Sequence, residues 1–233
     1  MNEHTLSLRL QRVAAQVPAG ARLADIGSEH AYLPAALLRR GTIAAAVAGE
    51  VALTPLRAAE RTAREQGLGA RLSVRLADGL AAIRGEDQIT AISLCGMGGE
   101  TIRDILAAGK AHLNGRERLI LQPNGGEPPL RQWLMAEGYR IVHEEVLREH
   151  RFDYEIIVAE PGAAAYSARE LYFGPLQLQA RGPAFLAKWR RLLRQKQATL
   201  AHFAHARQPV PAAKLHAINE QVAWISEVLA AES

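Results

Sequence analysis

Short apolar segments alternate with segments of helical periodicity over most of the chain, and this alternation limits the fold more than any other feature. The apolar segments span residues 22–26, 44–49, 72–76, 89–94 and 119–121. Each ends at a glycine, an acid or a polar turn, and most lead into a segment with helical spacing. Strand–helix alternation predicts a parallel sheet with helices on both faces and a ligand crevice at the carboxyl ends of the strands.

The last part of this sheet is predicted to differ from its beginning. Residues 139–147 and 154–159 form two further runs, and only the short polar segment 148–153 separates them. Without a crossover helix between them, the two runs predict an antiparallel hairpin. A sheet that finishes in this way is typical of methyltransferases, whereas a dehydrogenase would continue with another strand–helix unit.

The ends of the first two strands predict a nucleotide site. Asp25 and Gly27 close the first strand, where a glycine allows a sharp turn close to a ligand. Glu50 closes the second, where an acid can accept two hydrogen bonds from a ribose diol. Gly27 is the only glycine between Asp25 and Ala31, so the G-x-G-x-x-G turn of dinucleotide sites is absent. S-adenosylmethionine (SAM), which has a ribose and no phosphate, fits better; the alternative is an ordinary tight strand-to-helix turn.

The C-terminal part of the chain changes character. Helical spacing continues from Ala168, with one long helix over 185–200 and a second over 215–229. The segment 208–211, which contains two prolines, separates them. We therefore predict a domain at 1–162 and an α-helical, coiled-coil-like hairpin domain at 163–233.

Charge is distributed unevenly along the chain. The whole chain carries a net charge of +4, yet no Asp or Glu lies between Glu170 and Glu220. The basic residues of this stretch are Arg181, Lys188, Arg190, Arg191, Arg194, Lys196, Arg207 and Lys214. Their charge exceeds the net charge, so the rest of the chain is net negative. This asymmetry predicts a polyanionic partner; the alternative is a solvated helical face.

Composition narrows the setting in which the protein works. The N-terminus lacks the apolar region of a signal peptide, and no apolar run is long enough to span a bilayer. Cys95 is the single cysteine, which excludes an internal disulfide and a multi-cysteine zinc site. We expect a cytoplasmic protein with no membrane contact and no metal, and a monomer is the simplest expectation.

Five groups of residues, in order along the chain, carry a resemblance to a known family. They span 24–34, 49–51, 96–99, 121–124, and 173–175 with 185–189. In these motifs the chain resembles, over nearly its full length, the bacterial tRNA (adenine-N1)-methyltransferases that modify position 22, the TrmK family. Glu29 stands where the family usually has Asp, and Cys95 where it often has Ala. The resemblance implies a class I, Rossmann-like domain that transfers a methyl group from SAM to N1 of an adenine in tRNA.

The resemblance also implies which residues hold SAM. Gly27 and His30 would line its methionine and ribose part, and Glu50 would bind the ribose hydroxyls. The other residues implied at this site are Asp25, which would shape the turn or hold a water near the ammonium group, Asp78 with Gly79 at the adenine amino group, and Gly96 with Met97 in the donor loop. Other readings remain open: a turn-forming Asp-Gly at Asp78, a structural histidine at His30 and a core methionine at Met97.

For the substrate, Asn124 is the candidate catalytic residue. N1 of adenine has its own lone pair, so alignment of nucleophile and methyl group can suffice. We expect Asn124 to orient the base, with Pro123 beside it and Tyr32 as a stacking surface; the alternative is a loop-forming Pro-Asn-Gly-Gly. The predicted phosphate contacts are Lys188, Arg190, Arg191 and Arg194. Two other functions remain open: SAM-dependent methylation of another RNA or a protein, and a noncatalytic RNA-binding module.

Overall fold

The computed structural model describes residues 6–204 and 208–230, and its centre is a seven-stranded sheet in the order β3-β2-β1-β4-β5-β7-β6. The strands are β1 (Arg22–Ile26), β2 (Ala45–Glu50), β3 (Leu72–Leu76), β4 (Ala91–Met97), β5 (Arg118–Pro123), β6 (Tyr139–Glu149) and β7 (Phe152–Pro161). The first five strands pair in parallel, whereas β7 is antiparallel to both of its neighbours. The predicted parallel sheet with a terminal hairpin is confirmed.

Helices cover both faces of the sheet. They are α1 (Leu8–Ala14), α2 (Tyr32–Arg39), α3 (Leu53–Glu65), α4 (Gly99–Ala108), α5 (Glu127–Ala136), α6 (Ala168–Phe173), α7 (Pro175–Ala180), α8 (Pro183–Ala204) and α9 (Ala212–Ala230). Side chains of α1, α2 and α3 belong to one apolar core, and those of α4 and α5 to a second. The predicted class I, Rossmann-like α/β architecture is therefore confirmed.

Two central strands are longer than the apolar pattern predicts. Met97, in the glycine-rich segment after the fourth apolar run, still pairs with Pro123, and the register shifts between Cys95 and Met97. Gly99 lies so close to the next loop that a Cβ there would come within 2.1 Å of the Gly126 carbonyl oxygen. The glycines thus allow two strand ends and their loops to meet at the edge where the ligand crevice was predicted.

The C-terminal helices pack against the outer strand of the sheet. Val146 of β6 shares a third apolar core with Phe185 and Trp189 of α8 and with Ile225 and Val228 of α9. The two predicted long helices are present, and two short helices, α6 and α7, precede them. The proposed domain boundary at residue 162 stays a prediction.

The expectations about membrane spans and metal sites concern the whole chain. Within residues 6–204 and 208–230, no helix is long and apolar enough to cross a membrane. In the same part of the chain, no three His, Cys, Asp or Glu side chains are grouped so that they could hold a metal ion. Arg207, one of the eight basic residues, lies outside the described residues.

Candidate active site

A cleft of about 390 Å³ opens at the carboxyl ends of the central strands. It brings together six of the residues predicted from the sequence: Asp25, Gly27, Tyr32, Glu50, Gly96 and Met97. They come from three separate segments of the chain, 25–32, 50 and 96–97, and meet because the carboxyl ends of parallel strands share one edge of a sheet. The cleft is thus where strand–helix alternation predicts a ligand.

The loop from β1 to α2 has an unusual backbone. Gly27, Glu29 and Ala31 have φ angles of 67°, 51° and 56°, so every second residue adopts the left-handed conformation. At Gly27 an added Cβ would also lie 3.3 Å from Cε of Met97, which faces it across the cleft. Left-handed conformations at non-glycine residues such as Glu29 and Ala31 are uncommon and concentrate at functional sites.

Asp25 holds this loop in place through hydrogen bonds of its buried side chain. Its side chain is buried and accepts hydrogen bonds from the hydroxyls of Ser28 and, at 2.6 Å, Ser93. Burial raises the pKa of the Asp25 carboxyl, and the two hydroxyls offset part of this shift. Because Ser28 and Ser93 belong to the turn and to β4, the carboxylate holds the first strand end against its neighbour.

Glu50 lies at the end of β2 with one carboxylate oxygen unsatisfied. The residue is 4% exposed, and its Oε1 atom is buried without a hydrogen-bond partner in the described part of the chain. The other contact of the carboxylate is the backbone N–H of Glu29, but burial prevails and raises the pKa of Glu50. A buried acceptor without a donor is unfavourable unless a ligand supplies one.

Gln122 of β5 links three residues at the cleft through its side-chain amide: Arg9, Gly96 and Asn124. Its Oε1 accepts hydrogen bonds from the Arg9 guanidinium and, at 3.0 Å, from the backbone N–H of Gly96. Its Nε2 donates to the Asn124 side-chain oxygen at 3.0 Å. Sequence reasoning missed Arg9 and did not assign a role to Gln122. No signal in the sequence distinguishes Arg9 from Arg12, which lies in the same helix.

Asn124 joins the ends of two strands. Its side-chain Nδ2 donates to the Gly96 carbonyl at 2.9 Å, and its backbone N–H donates to the Met97 carbonyl at 2.7 Å. The residue itself is exposed. Asn124 is therefore exposed next to Gly96 and Met97, and its assignment to the target base stays a prediction.

Three predicted cofactor residues do not line the cleft. The His30 ring instead stacks on Tyr32, with ring centroids 5.0 Å apart. Asp78 is exposed just before the 3₁₀ turn that begins at Gly79. At Gly79 the φ angle is 51°, and an added Cβ would meet Ile105 of α4 at 3.0 Å. Their assignments to SAM stay predictions.

The predicted phosphate contacts divide into two pairs. Lys188 is only 8% exposed, and its ammonium group is paired with the buried carboxylate of Glu155. Its assignment as a phosphate contact stays a prediction. Arg191 is bound by two hydrogen bonds to Asp153. Arg190 and Arg194 are exposed on α8.

Comparison with known proteins agrees with this geometry. A family model described as tRNA (adenine(22)-N(1))-methyltransferase, TrmK, matches residues 23–227. The chain belongs to the TrmK family. The match includes both the strands that form the cleft and most of the C-terminal helical hairpin.

Individual TrmK relatives match nearly the whole chain. The curated tRNA (adenine(22)-N(1))-methyltransferase of Bacillus subtilis strain 168 is 42% identical over 212 residues, which cover 88% of this chain and 89% of the relative. The crystal structure of the B. subtilis m1A22 tRNA methyltransferase TrmK is 37% identical, with a TM-score of 0.89, and the match covers 97% of this chain and 99% of that one. Sp1610 of Streptococcus pneumoniae, in complex with S-adenosyl-L-methionine, is 39% identical, with a TM-score of 0.88 and coverage of 97% and 100%.

Proposed function

We propose that this TrmK-family protein transfers the methyl group of SAM to N1 of adenine 22 in tRNA. The observation that carries this proposal is the unsatisfied Oε1 atom of Glu50, buried beside a glycine turn at the edge of the sheet. A ribose hydroxyl would supply the missing donor, and a charge-assisted hydrogen bond is stronger than a neutral one. Family membership supports the same cofactor and substrate.

The residues of the cleft fit SAM as a ligand. Glu50 would hold the ribose, and Gly27 and Met97 would lie on either side of the ligand. The absence of a side chain at Gly27 leaves room there, because an added Cβ would come close to the Met97 side chain. Arg9 lines the same cleft and brings a cation to it. SAM, when bound, supplies an electrophilic methyl group on a sulfonium. The protein's contribution is to hold the donor and acceptor in line.

The target base needs positioning more than proton transfer. N1 of adenine carries a lone pair, so no side chain has to remove a proton before attack. We assign the orientation of the base to Asn124, with Pro123 beside it and Tyr32 as a stacking surface. Methylation leaves a cationic ring, so a polar group such as the Asn124 amide would favour the transition state.

The substrate's size requires a second binding surface. N1 of adenine is buried in a Watson–Crick pair, so the base must leave its stack or already be unpaired. We assign the electrostatic part of tRNA binding to Arg190 and Arg194 on α8, because phosphate contacts provide most of the sequence-independent affinity. Soluble tRNA as substrate is consistent with a cytoplasmic protein.

The test uses two tRNA transcripts that differ only in whether position 22 is adenine or guanine. We expect mass spectrometry of digested nucleosides to show 1-methyladenosine only with SAM and only in the first transcript. Methylation of both transcripts would refute the position, and methylation of a protein or of another RNA alone would refute the substrate. SAM binding without any methyl transfer would favour the noncatalytic RNA-binding alternative.

A further inference from the structure

A second groove, of about 360 Å³, lies between the tip of the β6–β7 hairpin, the first turn of α5, and helices α6 and α8. We call it the hairpin groove and define it by Glu127, Arg151, Phe152, Tyr172, Trp189 and Lys196. Gly125 lines this groove, whereas the preceding residue, Asn124, bonds to Gly96 of the cofactor cleft. The two concave sites are therefore neighbours on either side of a single loop.

Aromatic rings form one wall of the hairpin groove. Phe152 is 54% exposed at the hairpin tip, although a phenyl ring is favoured in a core. The Arg151 guanidinium carbon lies 5.4 Å from the Phe152 ring centroid. Tyr172, which is half-buried, lies 5.1 Å from the Trp189 ring centroid. Exposed aromatic rings with an adjacent arginine provide a stacking surface for a nucleobase.

The indole of Trp189 adds a polar feature to this apolar wall. Trp189 is 4% exposed, and its Nε1 atom is buried without a hydrogen-bond partner in residues 6–204 and 208–230. A buried indole N–H normally finds an acceptor. A nucleobase offers ring nitrogens and carbonyl oxygens that can accept this bond, which a purely apolar ligand does not.

Charge in and around the groove suits a nucleic acid. The carboxylates that line it or share its ion pairs are Glu127, Glu144, Asp153 and Glu155. The cations are Arg131, Arg148, Arg151, Lys188, Arg191 and Lys196. Most of these cations are paired with carboxylates, and Arg131 and Lys188 are buried. Arg151, which is exposed at the hairpin tip, is the cation that favours a phosphate backbone at the mouth of the groove.

We infer that the hairpin groove binds a second unstacked nucleotide of the tRNA, distinct from the adenine that is methylated. This inference rests on the proposed function and extends it. The base stacks on Phe152, the indole N–H of Trp189 donates to the base, and Arg151 contacts the backbone. Because the groove adjoins the Asn124 loop, binding there holds the tRNA next to the cofactor cleft and contributes to its affinity.

The test compares Phe152→Leu with Phe152→Tyr in steady-state methylation of full-length tRNA. Leucine keeps apolar volume and removes the aromatic face, whereas tyrosine keeps the face. Loss of stacking is worth about 5- to 150-fold in binding. We expect Phe152→Leu to raise KM for tRNA within that range, with kcat and the SAM dissociation constant unchanged, and Phe152→Tyr to remain near the parent.

Charge variants provide the matched control. Arg151→Ala should also raise KM for tRNA, whereas Arg116→Ala, an exposed arginine in the loop before β5, should not. If the parent methylates tRNA and Phe152→Leu retains the parental KM, the hairpin groove does not bind a nucleotide and the proposed function stands. If the parent forms no 1-methyladenosine in any tRNA, the proposed function itself fails, and the groove inference fails with it.

Discussion

The side chain of Asn124 donates a hydrogen bond to the backbone carbonyl of Gly96 at 2.9 Å, and so ties the loop after β5 to the end of β4. Its side-chain oxygen accepts from Gln122 at 3.0 Å. Both polar atoms of the amide are thus engaged while the residue remains exposed beside the cleft. The loop-forming role that the sequence left as an alternative is therefore present, and the orientation of the base by Asn124 stays a prediction.

Asn124→Ala should lower turnover much more than affinity for SAM or tRNA. The amide fixes the donor loop where the target base is placed, so its loss acts mainly in the transition state. We expect kcat to fall by about 10-fold or more, and Asn124→Asp, which lacks the donor to Gly96, to be similarly impaired. Equal losses of binding and rate in single-turnover measurements would instead assign Asn124 to loop structure alone.

Glu50→Gln should weaken SAM binding by about 1 to 3 kcal/mol, because the ribose diol loses a charged acceptor. Calorimetric titration of the folded variant measures this directly. Glu60→Gln, which changes an exposed acid on α3, is the matched control and should bind as the parent does. Parental affinity in Glu50→Gln would exclude the ribose assignment.

In the absence of SAM, Glu50→Gln should become more stable than the parent as the pH rises. Burial raises the pKa of Glu50 in the folded protein above its ordinary value of 4.5. Between the pKa of the unfolded chain and that of the folded protein, the unfolded chain has therefore already lost this proton while the folded protein still holds it. The parent then binds more protons when folded, and its stability falls as pH increases through the window. Glu50→Gln has no carboxyl group at this position, so its stability does not fall for this reason. Thermal unfolding from pH 4 to pH 7 should show a growing advantage for the variant; a constant difference would contradict the shifted pKa.

Arg131→Met should destabilise the fold by about 3 to 5 kcal/mol, because removing one member of a buried ion pair leaves uncompensated charge. Arg131 is fully buried and contacts both Glu144, at 2.8 Å, and Glu155. Urea unfolding measures the loss. Arg103→Ala, which removes the exposed pair with Asp104, should change stability by less than about 1 kcal/mol. Similar small effects for both variants would mean that Arg131 contributes little to the packing of α5 on the hairpin.

Charge reversal of Arg190 and Arg194 together should weaken tRNA binding and reduce its salt dependence. Each lost phosphate contact lowers the slope of log K against log salt by about 0.7 to 0.9. For two contacts we expect a slope reduced by about 1.4 to 1.8, with SAM binding unchanged. Reversal of Arg61 and Arg64, two exposed arginines on α3, is the control. An unchanged affinity and slope in the α8 variant would place the tRNA on the sheet domain alone.

Local sequence determined the sheet and half of the cleft. Each apolar run ends where its strand ends or a few residues before, and Gly27 and Glu50 were found because an acid or glycine after a strand is a local signal. Because the strands pair in parallel, the residues that follow them lie at the same edge of the sheet, however the side chains of the core pack. Family motifs in the chain were sufficient to indicate the cofactor and the substrate.

Only the tertiary structure decided which partners the polar and charged side chains contact. Arg9 reaches Gln122 across 113 positions of sequence, and Lys188, which reads as one of a basic series, is neutralised by Glu155 from β7. The His30 ring stacks on Tyr32, a contact that its position in the motif does not reveal. Such contacts depend on how elements pack at long range, and periodicity and local motifs, which extend over a few residues, carry no information about them.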